Sequence, residues 1–126
     1  MDKPTDPYHA HVYFTAETRA VADALRTRLA SGTPRPVFVG ELRDHPVGPH
    51  PLPQFEAHFQ QSDLAALLPV FEDCGLRVLV HPLTDDDLAD HTTLGHWIGE
   101  PLPLVLSTLD PPGMNKGIPR FGKSDF

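Results

Sequence analysis

Between Tyr8 and Phe14 the chain alternates strictly, Ala10, Val12 and Phe14 against His9, His11 and Tyr13, the period of a strand with one apolar and one polar face. Gln54 to Gln61 repeats the pattern, Phe55, Ala57 and Phe59 facing away from Glu56, His58 and Gln60. Pro36 to Arg43 is β-branched and aromatic enough for a further strand, and Leu76 to His81 predicts a fourth, apolar through its middle. Two helical periods lie between them. One runs over 16–30, capped by Thr15, with Ala20 or Val21, Ala24 or Leu25 and Leu29 on its apolar stripe and Gly32 and Pro34 to stop it. The other runs over 63–75 behind Ser62 as cap, its stripe Leu64, Leu67, Leu68 and Phe71, interrupted by Pro69.

The order strand, helix, strand, strand, helix, strand predicts a ferredoxin-like α+β fold: βαββαβ, an antiparallel sheet with two helices on one face. The first strand then lies centrally, antiparallel to the third and fourth. Ala10, Val12, Phe14, Phe55, Ala57 and Phe59 belong under the helices, so His9, His11, Tyr13, Glu56 and His58 lie on the open face. With Val78 and Val80 also turned to the helices, His81 joins that face as a cross-strand neighbour of His9 or His11.

Outside these elements, residues 1–7 read as a flexible lead-in, and 8–109 as a single domain. Asp44 to Pro53 holds four prolines and a glycine in ten residues, a stiff loop. Thr84 can cap a short helix with Asp85, Asp86 and Asp87 as a solvated first turn and His91 near its end. Leu102 to Leu109 predicts an added strand or a turn at the sheet edge. The Gly- and Pro-rich tail, 110–126, is expected to be disordered or laid across a partner subunit.

Composition narrows the function. The 126 residues suit one domain, and a net charge of −7 argues against nucleic acid or an anionic membrane as partner. No apolar run approaches a membrane span and no signal-peptide stretch opens the chain, so a soluble cytoplasmic protein is expected. The single cysteine, Cys74, excludes an internal disulfide and a thiolate cage and reads as a buried structural thiol. No GxSxG elbow occurs, and the serines lie outside the histidine-bearing segments.

Eight histidines stand out. A His-x-His pair in a strand sets two imidazoles on one face about 7 Å apart, and a third group from a neighbouring strand closes a metal site. Two imidazoles and a carboxylate are the donor set of mononuclear iron oxygenases. His50, in the proline-rich loop, can be held over the face. His45, His58 and His96 read as surface residues, and Trp97 as core.

The segments YHAHVYF, PVGPHPLPQFE, LVHPLTDDDLADHT and HWIGEPLPL together resemble the DOPA 4,5-dioxygenase family over residues 8–109. One departure is Asp85, where the family pattern has a glycine after the threonine. The resemblance implies a small ferredoxin-like homodimer using non-haem iron(II). It implies extradiol cleavage of a catechol such as L-DOPA by dioxygen, giving a muconic semialdehyde-type product that cyclises to betalain-type pigments. The histidines it carries over are His9, His11, His50, His81 and His91. On that footing His11, His81 and either His50 or Glu56 would hold the metal, iron(II) or in its place zinc or another divalent ion. His9 or His91 would move protons, Tyr13 would donate to bound oxygen, and Arg77, with Glu56, would meet the substrate. The alternatives are a non-catalytic dimer that binds a metal or an aromatic ligand, and a zinc-dependent enzyme in the same site.

Overall fold

The computed structural model describes residues 3–109 together with Phe121 and Gly122. Its elements are β1 (Pro7–Tyr13), α1 (Arg19–Ser31), β2 (Phe38–Val39), β3 (Gln54–Gln60), α2 (Gln61–Glu72), β4 (Val78–Pro82), α3 (Asp87–His91) and β5 (His96–Ile98), followed by a 3₁₀ turn at Leu106–Thr108. The five strands form one sheet in the order β2-β3-β1-β4-β5, with every pairing antiparallel. The expected ferredoxin-like arrangement is present, with β1 at the centre.

Register follows from the alternation. His9 is opposite His58 on β3 and His81 on β4, while Ala10 is opposite Ala57 and Val80. Because the side-chain period is 2, this register sorts every strand residue to a face. Ala10, Val12, Phe14, Phe55, Ala57, Phe59, Val78 and Val80 pack with Ala22, Leu25 and Leu29 of α1 and Leu67 and Phe71 of α2. Each large side chain buried there contributes about 1.5–3 kcal/mol.

Several boundaries differ from those read in the sequence. Thr15 does not cap α1: its backbone N–H donates to Thr18 Oγ1 at 2.9 Å, forming a separate turn, and the helix starts at Arg19. Ser62 does not cap α2, which begins directly at the end of β3. The second strand is reduced to Phe38–Val39 plus a single bridge from Arg43 to Gln54, since the glycine and prolines that follow cannot continue a ladder. The added edge strand is at His96–Ile98 and not within 102–109. The tail lies outside the described residues except for Phe121 and Gly122. No helix among the described residues is long and apolar enough to cross a membrane.

The largest difference concerns the polar face, which is not open. His9, His11, His50, His58 and His81 are all at most 1% exposed. The proline-rich loop, α3, the 102–106 segment and Phe121 with Gly122 roof it. Val105 N–H donates to Pro49 O at 2.8 Å, tying two parts of the roof together. The Arg19 guanidinium grips Asp44 at the entry to the loop, holding its carboxyl below the usual range.

Candidate metal centre

Beneath the roof the imidazoles form a continuous cluster. His11 and His81 meet Nε2 to Nε2 at 3.0 Å. His50 lies 4.0 Å from His11 ring to ring, and His91 lies 4.2 Å from His81. His9 contacts His11 and His81 and stacks face to face on His58 at 3.7 Å. Ligand atoms come within 4.8 Å of one another in His9–His11–His81, in His11–His50–His91 and in His9–Glu56–His58.

The opposite ring nitrogens explain the orientation. His81 Nδ1 donates to Pro82 O at 2.7 Å, and His91 Nδ1 donates to Asp87 O at 2.8 Å. His11 Nδ1 faces Gln54 Oε1 at 3.1 Å. Carbonyl oxygens only accept, so each Nδ1 carries the proton and each Nε2 keeps a bare lone pair. Two bare lone pairs 3.0 Å apart repel unless a cation lies between them. Two nitrogens about 2.0–2.1 Å from one ion would be separated by about 3.0–3.4 Å. The donor set therefore fits a divalent metal, with its histidines oriented by oxygen acceptors behind them.

Electrostatics agree. Burial, together with the neighbouring imidazoles, pushes His11 and His81 well below the ordinary histidine value. Burial and His91 lower His50 to about 3. These rings are neutral near pH 7 and ready to ligate. Tyr13 meets His50 Nδ1 at 2.7 Å, and burial raises its phenol so that it keeps its proton.

Of the residues singled out in the sequence, His9, His11, His50, His81, His91, Tyr13 and Glu56 converge here. Arg77 does not join the cluster: it is exposed at the end of the sheet, lining a 210 Å³ cavity that Tyr13 and Leu52 also border. His45 and His96 are exposed, as read. His58 is not a surface residue but fully buried, because Phe38 and Phe121 cover it. Asp87 is not solvated but buried, since α3 turns inward onto the sheet.

Four features were missed. Gln54 has the same parity as Glu56 and His58, a signal that places it on this face. Asp90, fully buried, accepts from both Thr84 N–H and Thr84 Oγ1, closing the turn ahead of α3. Trp97 is half-buried and stacks on Tyr13 at 5.7 Å, and it lines a 310 Å³ cavity with His91, Thr92, Leu102 and Leu106. Gly122 N–H reaches His58, from a segment no local pattern connects to it. Cys74 is half-buried with its thiol raised by burial, and it is away from the cluster.

Comparison with known proteins gives the same picture. A DOPA 4,5-dioxygenase of Amanita muscaria is 30% identical over 118 residues, covering 86% of this chain and 52% of that protein. A 21.2 kDa protein of Botryotinia fuckeliana is 39% identical over 74 residues, 51% of this chain and 40% of its own length. The chain thus spans about half the length of the curated relatives it matches. A crystal structure from Nostoc punctiforme, of a protein provisionally named a dioxygenase, superposes with a TM-score of 0.77 at 33% identity, covering 83% of this chain and 91% of that one. The model of the Dopa 4,5-dioxygenase family matches residues 8–108, from the second residue of β1 through the 3₁₀ turn, and to that family the chain belongs.

Proposed function

We propose that this chain is an iron(II)-dependent extradiol dioxygenase that opens the ring of a catechol such as L-DOPA by 4,5-cleavage. The observation that carries the reading is the pair of inward-facing Nε2 atoms of His11 and His81, backed by Gln54 and Pro82. Between His50 and Glu56, His50 is the preferred third ligand, since it shares a ligand group with His11, whereas Glu56 groups with His9 and His58; His9, which shares a group with both His11 and His81, is the competing donor. His11, His81 and His50 would hold iron(II), which would supply the redox coupling between a catechol and dioxygen.

The chain's own residues do the rest. The cavity beside His91 and Trp97, about 310 Å³, has room for a flat aromatic ring. His91, which reaches both this cavity and the cluster, takes a catechol proton on Nε2, its Nδ1 being occupied by Asp87 O. His9 is the second group able to hold a proton there. Tyr13, kept as a phenol, would direct its hydroxyl proton into the centre beside His50. Arg77 lines the separate 210 Å³ cavity with Tyr13 and would meet a substrate carboxylate only from that side. The family resemblance further supports a homodimer with 8–109 as the catalytic unit.

Anaerobic reconstitution with iron(II), addition of L-DOPA and then air tests the reading. Oxygen uptake matched by a yellow product is expected, with none from the zinc-loaded protein. Bound iron without uptake, across several catechols, would refute it in favour of a binding protein.

A further inference from the structure

Geometry offers a second metal group, because His9, Glu56 and His58 also bring ligand atoms within 4.8 Å of one another. The surroundings of His58 point elsewhere. Gly122 N–H donates to His58 Nδ1 at 3.0 Å. An amide N–H cannot accept, so Nδ1 must hold a lone pair, and the ring proton sits on Nε2. A protonated Nδ1 would set two donors against each other. This is the reverse of His11, His81 and His91, whose Nδ1 atoms face carbonyl oxygens. His58 is fully buried, its Nε2 has no hydrogen-bond partner among the described residues, and Glu56 Oε2 lies 3.6 Å away. A nitrogen that carries a proton has no lone pair to give a metal.

We propose that His58 is a positioning residue and not a ligand: held as the Nε2–H tautomer by Gly122, it aims that proton at Glu56 and directs the carboxylate beside His9. The buried imidazoles then divide into one metal site and one proton-bearing pair. The ring has little freedom to do otherwise, clamped between His9 at 3.7 Å and 4° and Phe121 at 5.9 Å and 16°. Gly122 has φ 82°, a conformation that favours glycine and lets its amide turn toward the ring. Two residues near the end of the sequence thus decide where a proton sits in the middle of the sheet. The assignment draws on the proposed function only in taking His11 and His81 as the metal side.

Long-range ¹H–¹⁵N correlation spectra of the uniformly labelled, metal-free protein read the tautomers directly. His58 is expected with its proton on Nε2, and His81 and His91, whose Nδ1 atoms face backbone carbonyls, with theirs on Nδ1. A proton on His58 Nδ1 would overturn the proposal. Metal analysis after loading with zinc or iron(II) is expected to give one ion per chain, unchanged in His58→Gln, whose amide donates from nearly the same place and is a far weaker ligand than imidazole for either ion. Two ions per chain, one of them lost in His58→Gln, would equally overturn it. In the iron-loaded enzyme, His58→Leu should lower kcat on the order of 10–100-fold with KM little changed, and His58→Gln should restore most of it. The spectra and the metal count do not depend on turnover, so failure of the dioxygenase reading and failure of this one are told apart.

Discussion

Acid should unfold the metal-free protein well before it would unfold a domain without this cluster. His50 is lowered from the ordinary histidine value of 6.5 to about 3 by burial and by His91. Between those values the unfolded chain binds a proton there that the folded chain refuses, so stability falls as pH falls. At about pH 5 that difference is worth RT ln(1 + 10^1.5), about 2 kcal/mol, from His50 alone. His11 and His81 are lowered for the same reason and add loss of the same sign. Asp90, raised by burial, works the other way, in the window between the ordinary carboxyl value and its raised one. A small domain has a total stability of about 5–15 kcal/mol, so the loss is a large share. Urea unfolding followed by Trp97 fluorescence at about pH 7 and about pH 5 measures it. With a slope of about 1–3 kcal/mol/M, the midpoint should drop by about 1 M or more. His45→Asn and His96→Asn, at exposed sites, should leave the drop unchanged. A midpoint that stays constant across this range would refute the burial of neutral imidazoles.

Replacing His11 or His81 with alanine should remove most bound metal with the fold intact by circular dichroism, whereas His45→Ala or His96→Ala should remove none. Gln54→Leu, which deletes the acceptor behind His11 Nδ1, should weaken metal binding by about 10–100-fold in a chelator competition. Asp90→Ala leaves Thr84 without its acceptor and should cost about 2 kcal/mol, lowering Tm by about 6–10 °C in calorimetry. Trp97→Ala should raise KM for a catechol more than it lowers kcat, since the ring forms a wall of the cavity and makes no contact in the ligand groups.

Much of the sheet was legible because period-2 alternation is a local property: Tyr8–Phe14 and Gln54–Gln60 each declare their two faces without reference to the rest of the chain. The order of elements then placed His81 against β1, and the register sets it opposite His9. What covers the histidine face was not legible. His58 looks like a surface residue until Phe38 and Phe121 are brought over it, and neither is near it in sequence. The inward turn of α3 depends on Asp90 accepting from Thr84, a contact that the run of aspartates disguises as a solvated first turn. A three-residue edge strand such as β5 carries too few side chains to show a period, so its pairing with β4 decides it.

The central place of β1 has a consequence for folding fidelity. His9, His11 and Tyr13 alternate with Ala10, Val12 and Phe14, so a slip of one residue against β3 or β4 would drive imidazoles into the apolar core and leave alanine and valine facing the candidate metal centre. Such a misregistered sheet could bind no ion. Because a ligand stabilises only the state that binds it, metal present during folding would reward the correct strand pairing alone, making the ion a proofreader of the sheet as well as the centre it serves.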